Sequence, residues 1–268
     1  DIIISEDMSD MDAYDRLCEK VDIQSYIDWS CINVYIANCD YSLETNDNCI
    51  AWRSAVKGNG PYEDGRLRWC LYDLDRVVDL CRYELGLENI TNAQVDSFNV
   101  MRDWAPTVHN SLIFSRLKQN PGFCAQYVNT FMDMINTTFA VDNMSYMLET
   151  WGEDISFDNY FFANRAEYIT GYMEEEFGLK GTKEALTVEV NDPIAGRVRI
   201  NTIMPDLSEG GWTGLYYTDY PVMVTAIPDN GYRFVGWNGD VSSDEETIMV
   251  SLDQNGVCLN AEFERAND

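Results

Sequence analysis

VYIANCDYSLETNDNCIAWRSAVKG (Val34–Gly58), followed after a polar turn by RLRWCLYDLD (Arg66–Asp75), is the stretch on which the reading of the fold rests. In order it is a helix end, a polar elbow, a hairpin and an acidic pair. The helix starts upstream, where Asp22 is placed to cap a segment of roughly Ile23–Ala37. Its apolar residues Ile27, Cys31, Val34 and Tyr35 fall on one face. Asn38–Asn48 is rich in turn formers and reads as a loop. Cys49–Ala55 and Arg66–Tyr72 read as the two strands of a hairpin closed by Lys57–Gly65. Gly58 and Gly60 invite comparison with a phosphate-binding loop, but strands flank them and no helix follows, so that reading is rejected.

The remaining chain is helical up to about Gly181. Residues 6–20 have helical spacing and an acidic first turn, which suits the helix dipole. Beyond Asp75, helices are expected over Val108–Gln119, Pro121–Asn136 with Pro121 at its first position, and Asn143–Trp151. A last one, capped by Asp158, runs to Phe177 with Gly178 as terminator. From Ala185 the pattern changes to alternation of β-branched and aromatic residues with Gly, Pro and Asn-Gly breaks. The expected fold class is therefore α+β: a mostly helical domain with one small hairpin over residues 1–181, a linker at Gly181–Glu184, and a small all-β domain over 185–265.

Composition narrows the function. The 268 residues carry a formal net charge of −28, which repels nucleic acid and anionic membranes; it reads first as solubility of a secreted or surface protein, with attraction of a basic protein partner as the functional alternative. No run of about 18 apolar residues is present, so no transmembrane segment is expected. The chain opens at Asp1 without an initiator Met, which reads as a processed or excised piece. Its eight cysteines form no CxxC pair, and His109 is the sole histidine. A structural zinc site is not expected from that set. Several of the cysteines sit where an apolar residue would and read mainly as buried thiols, with one or two disulfides as the alternative. His109 reads as structural.

The polar groups that the order of elements places at the mouth of the hairpin, where all could face one pocket, suit phosphoryl transfer. That chemistry asks a protein for a carboxylate to orient or deprotonate the acceptor and for hard oxygen ligands to a magnesium ion. Kinase-like folds supply them in the order found here: helix, loop with base, Asn, hairpin, Asp. Asp40 takes the place of the base, Asn48 and Asp73 those of the metal and nucleotide ligands, and Asp75 that of a further ligand. The alternative is that Asp and Asn at these places only bond to local backbone, as they do in many loops.

These residues resemble the CotH family, the spore-coat-protein-H kinase-like proteins. Asn38, Asp40, Asn48, Trp52 and Arg53 match one stretch of the family pattern, and Arg68, Trp69, Tyr72, Asp73 and Asp75 match a second. Tyr41 and Asp47 depart from it, standing where Trp and Asn are frequent. Ser111–Phe139 and Phe161–Leu179 resemble the family's later helices, so the likeness spans about residues 5–181. Residues GRVRINT, YPVMVTAIPDNGYRFVGWNGD and LNAEFE are similar to an internalin-type B-repeat, the bacterial repeat, with Gly231–Trp237 its most recognisable part. Within that part Tyr232, Phe234 and Trp237 read as core rather than as a sugar-stacking platform.

The resemblance implies an exported or cell-surface bacterial protein kinase that uses Mg²⁺ and ATP to phosphorylate an extracellular or coat protein. It also implies that the nucleotide-covering N-lobe is absent from this chain, because nothing before Ile23 can form its sheet. Two other functions stay open: a non-catalytic surface or assembly scaffold, and attachment to cell wall or polysaccharide through the β module.

Overall fold

The computed structural model describes residues 2–38, 40, 48–78, 86–87, 89–99, 101–102, 105–106, 111–151 and 156–266. His109, Cys39, Cys81, Tyr41 and Asp47 lie outside the described residues. The chain divides into two compact units, Asp1–Tyr127 with Met144–Gly178, and Val128–Asn143 with Leu179–Asp268. The fold class is α+β, as the residue patterns indicate.

The first unit opens with α1 (Ile2–Ser5), α2 (Met11–Cys18) and α3 (Ile23–Tyr35). The single helix expected over 6–20 is broken, because Asp10 caps α2 and Asp7 turns its carboxylate onto Ser9. Asp22 caps α3 by accepting from the Ser25 amide. The helix is buried on nearly every side, with Ile23, Tyr26, Ile27, Trp29, Cys31, Val34 and Tyr35 all in the core. A helix with most of its circumference buried belongs in the interior rather than on a surface, and α3, with Gln24, Ser25 and Asp28 on its half-exposed side, is the axis on which this unit is built. The 3₁₀ turn at Asn92–Gln94, α4 (Leu112–Leu117), α5 (Pro121–Asn136, through Tyr127), α6 (Val141–Trp151, from Met144) and α7 (Ser156–Phe177) complete it. Asn120 caps α5 by accepting from the Phe123 amide, and Pro121 occupies the first turn, where its missing N–H costs nothing. Phe114, Phe123, Tyr127 and Phe177 pack at ring separations of 5.1–6.0 Å. The Tyr127 hydroxyl meets Ser30 Oγ at 2.9 Å, so the cluster is tied to α3. Helix α7 starts at Ser156, which puts Asp158 inside its first turn rather than at its cap.

The hairpin β1 (Ile50–Trp52) and β2 (Arg68–Cys70) pairs antiparallel, with Trp52 opposite Arg68. Its base is stitched to the start of α3. Leu67 exchanges backbone hydrogen bonds with Lys20 and Asp22, and the Trp69 amide donates to Ser25 Oγ. Arg68, 4% exposed, pairs with Asp22 at 2.9 Å and Asp64 at 2.7 Å. Its guanidinium also lies against the Trp52 and Tyr62 rings. One arginine thus binds the cap of α3 to the hairpin and fixes where the hairpin points. A two-residue ribbon, β3 (Met101–Arg102) with β4 (Ala105–Pro106), follows. At the hairpin turn the Gly60 amide donates to the Glu63 carboxylate, an anion the chain itself provides.

The second unit is built on two sheets. A three-stranded antiparallel sheet is ordered β10 (Thr247–Val250), β8 (Val222–Pro228), β6 (Gly196–Ile200). A four-stranded sheet is ordered β7 (Trp212–Tyr217), β5 (Lys183–Val190), β11 (Val257–Arg265), β9 (Tyr232–Gly239). The first and last of these strands in the chain, β5 and β11, pair parallel at its centre. Residues alternate between core and solvent along β6, as the period-two pattern requires. Trp237 is buried, its indole N–H donating to the Glu245 carbonyl, and Phe234 packs against Trp237 and Phe263. Of the aromatic run, Trp237 is core, while Phe234 and Tyr232 are half-buried. Val128–Asn143 joins this unit through Asp133, whose carboxylate accepts from the Thr202 amide and hydroxyl, Asn201 Nδ2 and the Tyr216 hydroxyl.

Cys18, Cys31, Cys49, Cys70, Cys124 and Cys258 are thiols, and no disulfide joins described residues; of these only Cys31 is buried, Cys258 is exposed and the rest are half-buried, so the reading of buried thiols holds for Cys31 alone. Burial pushes the Cys49 thiol up to about 11, which keeps it protonated and unreactive at neutral pH.

Candidate functional site

The site forms where α3 ends. Ile36 closes the helix and the chain turns through Ala37 at φ 53° into Asn38. Asn38 is 3% exposed and held twice by Asn33: its amide donates to the Asn33 carbonyl at 2.9 Å, and its Nδ2 to Asn33 Oδ1 at 2.8 Å. Asn33 in turn donates to the Trp29 carbonyl. The Asp40 amide then donates to Asn38 Oδ1 at 3.0 Å. Asp40 is thus delivered by a chain of side-chain amides rooted in the helix, and it is 7% exposed.

Asn48 comes to Asp40 from the other end of the elbow. Its Nδ2 donates to the Asp40 carbonyl at 2.8 Å and to Asp40 Oδ2 at 3.1 Å. Arg76 Nε approaches the same carboxylate oxygen at 3.6 Å. Because Nδ2 is spent on Asp40, Asn48 turns Oδ1, a hard oxygen, away from it.

Asp73 and Asp75 follow β2. Partial desolvation, then the charge of Asp75 and a hydrogen bond with it, then the charge of Asp40, raise the pKa of Asp73, while Arg76 opposes them. Asn48 is thus bonded to Asp40, Asp75 to Asp73, and the charge of Asp40 acts on Asp73. The set is anionic, and a bound cation would relieve the repulsion that lifts Asp73. Magnesium takes few protein ligands and fills its shell with water and phosphate oxygens, and an amide oxygen and a carboxylate are donors of the hard type it prefers. Among the described residues no group of three or more His, Cys, Asp or Glu side chains is arranged to hold a metal by itself.

Backbone strain marks the same place. Five described residues other than glycine have positive φ: Ala37 at 53°, Asn48 at 46°, Asp73 at 53°, Val78 at 60° and Asn201 at 41°. Four of them border this site. A β-branched residue such as Val78 rarely adopts this conformation, and the Val78 amide donates to the Ile36 carbonyl at the end of α3. Strain of this kind gathers where a fold holds functional groups in a set geometry.

A cavity of about 410 Å³ lies elsewhere, lined by Asp28, Trp29, Ile32, Tyr62, Arg68 and Trp69 among others, and none of Asp40, Asn48 or Asp73 lines it. One residue that bears on the site escaped the reading of the motifs. Arg165 of α7 is fully buried and binds the carbonyls of Val34 and Tyr35 in the last turn of α3. An arginine four residues from each of Phe161 and Ile169, on the apolar face of α7, is a signal that spacing carries.

Residues 3–184, well over half of the chain, match the family model described as CotH kinase protein. Residues 206–267 match the model described as Divergent InlB B-repeat domain. No curated protein and no solved structure matches the chain.

Proposed function

This chain belongs to the CotH kinase protein family, and from that premise we propose that it is a magnesium-dependent phosphotransferase moving the γ-phosphoryl group of ATP to a protein hydroxyl. The observation that supports the reading is the hydrogen bond of Asn48 to the Asp40 carboxylate, with the charge of Asp40 acting on Asp73 just beyond β2. Asp40 accepts the proton of the acceptor hydroxyl as its oxygen bonds to the γ-phosphorus and the bond to ADP breaks. Asn38 and Asn48 hold Asp40 in place from two sides. Asn48 Oδ1 and Asp73 would hold magnesium, with Asp75 beside them. When bound, the ion neutralises charge on the phosphate oxygens. The family and the B-repeat match support a surface or coat setting, and the net charge of −28 supports a basic protein acceptor.

Asp73→Asn tests the ligand assignment. Calorimetric titration of Mg²⁺–ATP into the full-length protein is expected to give binding that the variant weakens. Altering a group that merely orients a metal ligand costs about 10–100-fold in affinity, and loss of a ligand should cost at least as much. Equal affinity in both proteins would remove Asp73 from the site. A second reading, a non-catalytic surface or assembly module, draws on the B-repeat match and on the lack of a self-sufficient metal cluster among the described residues. Failure of the full-length protein to bind Mg²⁺–ATP would favour it.

A further inference from the structure

Arg165 spends all five of its N–H groups inside the first unit. Nε donates to the Tyr35 carbonyl at 2.8 Å. Nη1 donates to the carbonyls of Ala93 at 2.8 Å and Val95 at 2.6 Å. Nη2 donates to the Val34 carbonyl at 2.9 Å and to Ser97 Oγ. Ser97 Oγ itself donates to the Val34 carbonyl at 2.6 Å. The guanidinium also lies over the Phe161 ring at 5.5 Å.

Val34 and Tyr35 belong to the last turn of α3, where the helical hydrogen-bond ladder runs out and the negative end of the helix dipole lies. A buried cation placed there answers both. The chain then passes Ile36 and the left-handed Ala37 and enters the pair Asn38–Asp40. Three segments distant in the chain thus close on one guanidinium: the end of α3, the 93–97 segment and α7. Lysine could not replace it, since an ammonium has three donors on a point, and the acceptors here ask for five on a planar fork.

We propose that Arg165 is a positioning residue for the site: it fixes the end of α3 and thereby the register and orientation in which Asn38 presents Asp40. Its catalytic consequence rests on the phosphotransferase reading, whereas its effect on the elbow does not.

The test uses Arg165→Lys and the milder Ser97→Ala in the full-length protein. Amide hydrogen exchange is followed at Asn38 and Asp40, with the Phe123–Tyr127 amides of α5 as controls in the same unit. Arg165→Lys is expected to speed exchange at Asn38 and Asp40 by about tenfold or more while the α5 amides keep their protection, the pattern of a local opening. Ser97→Ala should move the same two amides in the same direction and by less. In the transfer assay Arg165→Lys should lower kcat and leave KM for ATP unchanged. Combining it with Asp40→Asn should lower kcat no further than Asp40→Asn alone. Exchange that rises equally at the elbow and in α5, or an elbow unchanged in both variants, overturns the proposal. If Arg165→Lys does not fold, Ser97→Ala decides by the same comparison. Absence of transfer in the unmodified protein would sink the phosphotransferase reading and leave the exchange result to stand.

Discussion

Asp40→Asn is expected to lower the transfer rate by about 10²–10⁴-fold while Mg²⁺–ATP still binds. A general base contributes about 10²–10⁴-fold to rate, and asparagine keeps the shape of the side chain without its basicity. The substitution suits the local structure, because two of the bonds that seat residue 40 run through its backbone: the amide to Asn38 Oδ1 and the carbonyl from Asn48 Nδ2. Among the described residues, the side chain gives up or weakens the long bond from Asn48 Nδ2 at 3.1 Å and the ion pair with Arg76 at 3.6 Å. Arg76 is well exposed, and ion pairs of that kind contribute about 0–1 kcal/mol. The fold should therefore survive, so that a fall in kcat reports chemistry. Removing the Asp40 charge also relieves part of the repulsion on Asp73, which favours its carboxylate form. Loss of metal binding is consequently not expected from this variant, in contrast to Asp73→Asn. Kinetics with kcat and KM resolved would check it, and transfer within a few-fold of the unmodified protein would take the base role from Asp40.

The elements on which the site depends were legible for local reasons. Asp22, Pro121 and Gly178 act where their backbone chemistry places them, and alternation along 185–265 marks strands. The order helix, Asp40, Asn48, hairpin, Asp73 could be read because each residue lies within a few positions of an element end. What could not be read depends on interactions between segments far apart in the chain, or on side chains that compete with the helix. Residues 6–20 keep helical spacing, yet Asp7 and Asp10 satisfy local amides and split them into a turn and a short helix. The parallel pairing of β5 with β11 joins strands about as far apart as the unit allows, and alternation says nothing about partners. The spacing of Arg165 on the apolar face of α7 marks it as buried, but its five acceptors, from other parts of the chain, show only once the fold is in place. Asp133 was hidden in the same way: within the Pro121–Asn136 period it is a polar residue on a helix, and its partners lie at Asn201, Thr202 and Tyr216.

Asp133 makes the second large prediction, a pH-dependent stability of the β unit that a single substitution removes. Burial pushes its carboxyl up to about 6 from 3.8, against the opposing hydrogen bonds of Thr202, Asn201 and Tyr216. For an acid whose folded pKa is raised, the folded state holds the proton more tightly than the unfolded chain. Stability from this group is therefore greatest below about pH 4 and declines as pH rises to about 6, by about 3 kcal/mol at most. Other groups add their own slopes, so the signature of Asp133 is the part that Asp133→Asn erases. That variant is not a mimic. Asn201 is fixed because its Oδ1 accepts from the Met223 amide, so its Nδ2 must donate to residue 133, and the Thr202 amide must donate as well. Each carboxylate oxygen faces an obligatory donor, and an asparagine N–H₂ would confront one of them. Leaving a buried donor unsatisfied costs about 1–3 kcal/mol. At pH 7 the variant should be destabilised by up to that amount, with a smaller deficit if the charged native group is itself disfavoured. Hydrogen exchange of the Gly196–Ile200 and Val222–Pro228 strands in the whole chain, corrected for intrinsic rates at pH 5 and pH 7, reads both effects. The native protein should lose protection on going to pH 7 and Asp133→Asn should not. A native pH dependence that persists unchanged in the variant would show that the titration belongs to another group.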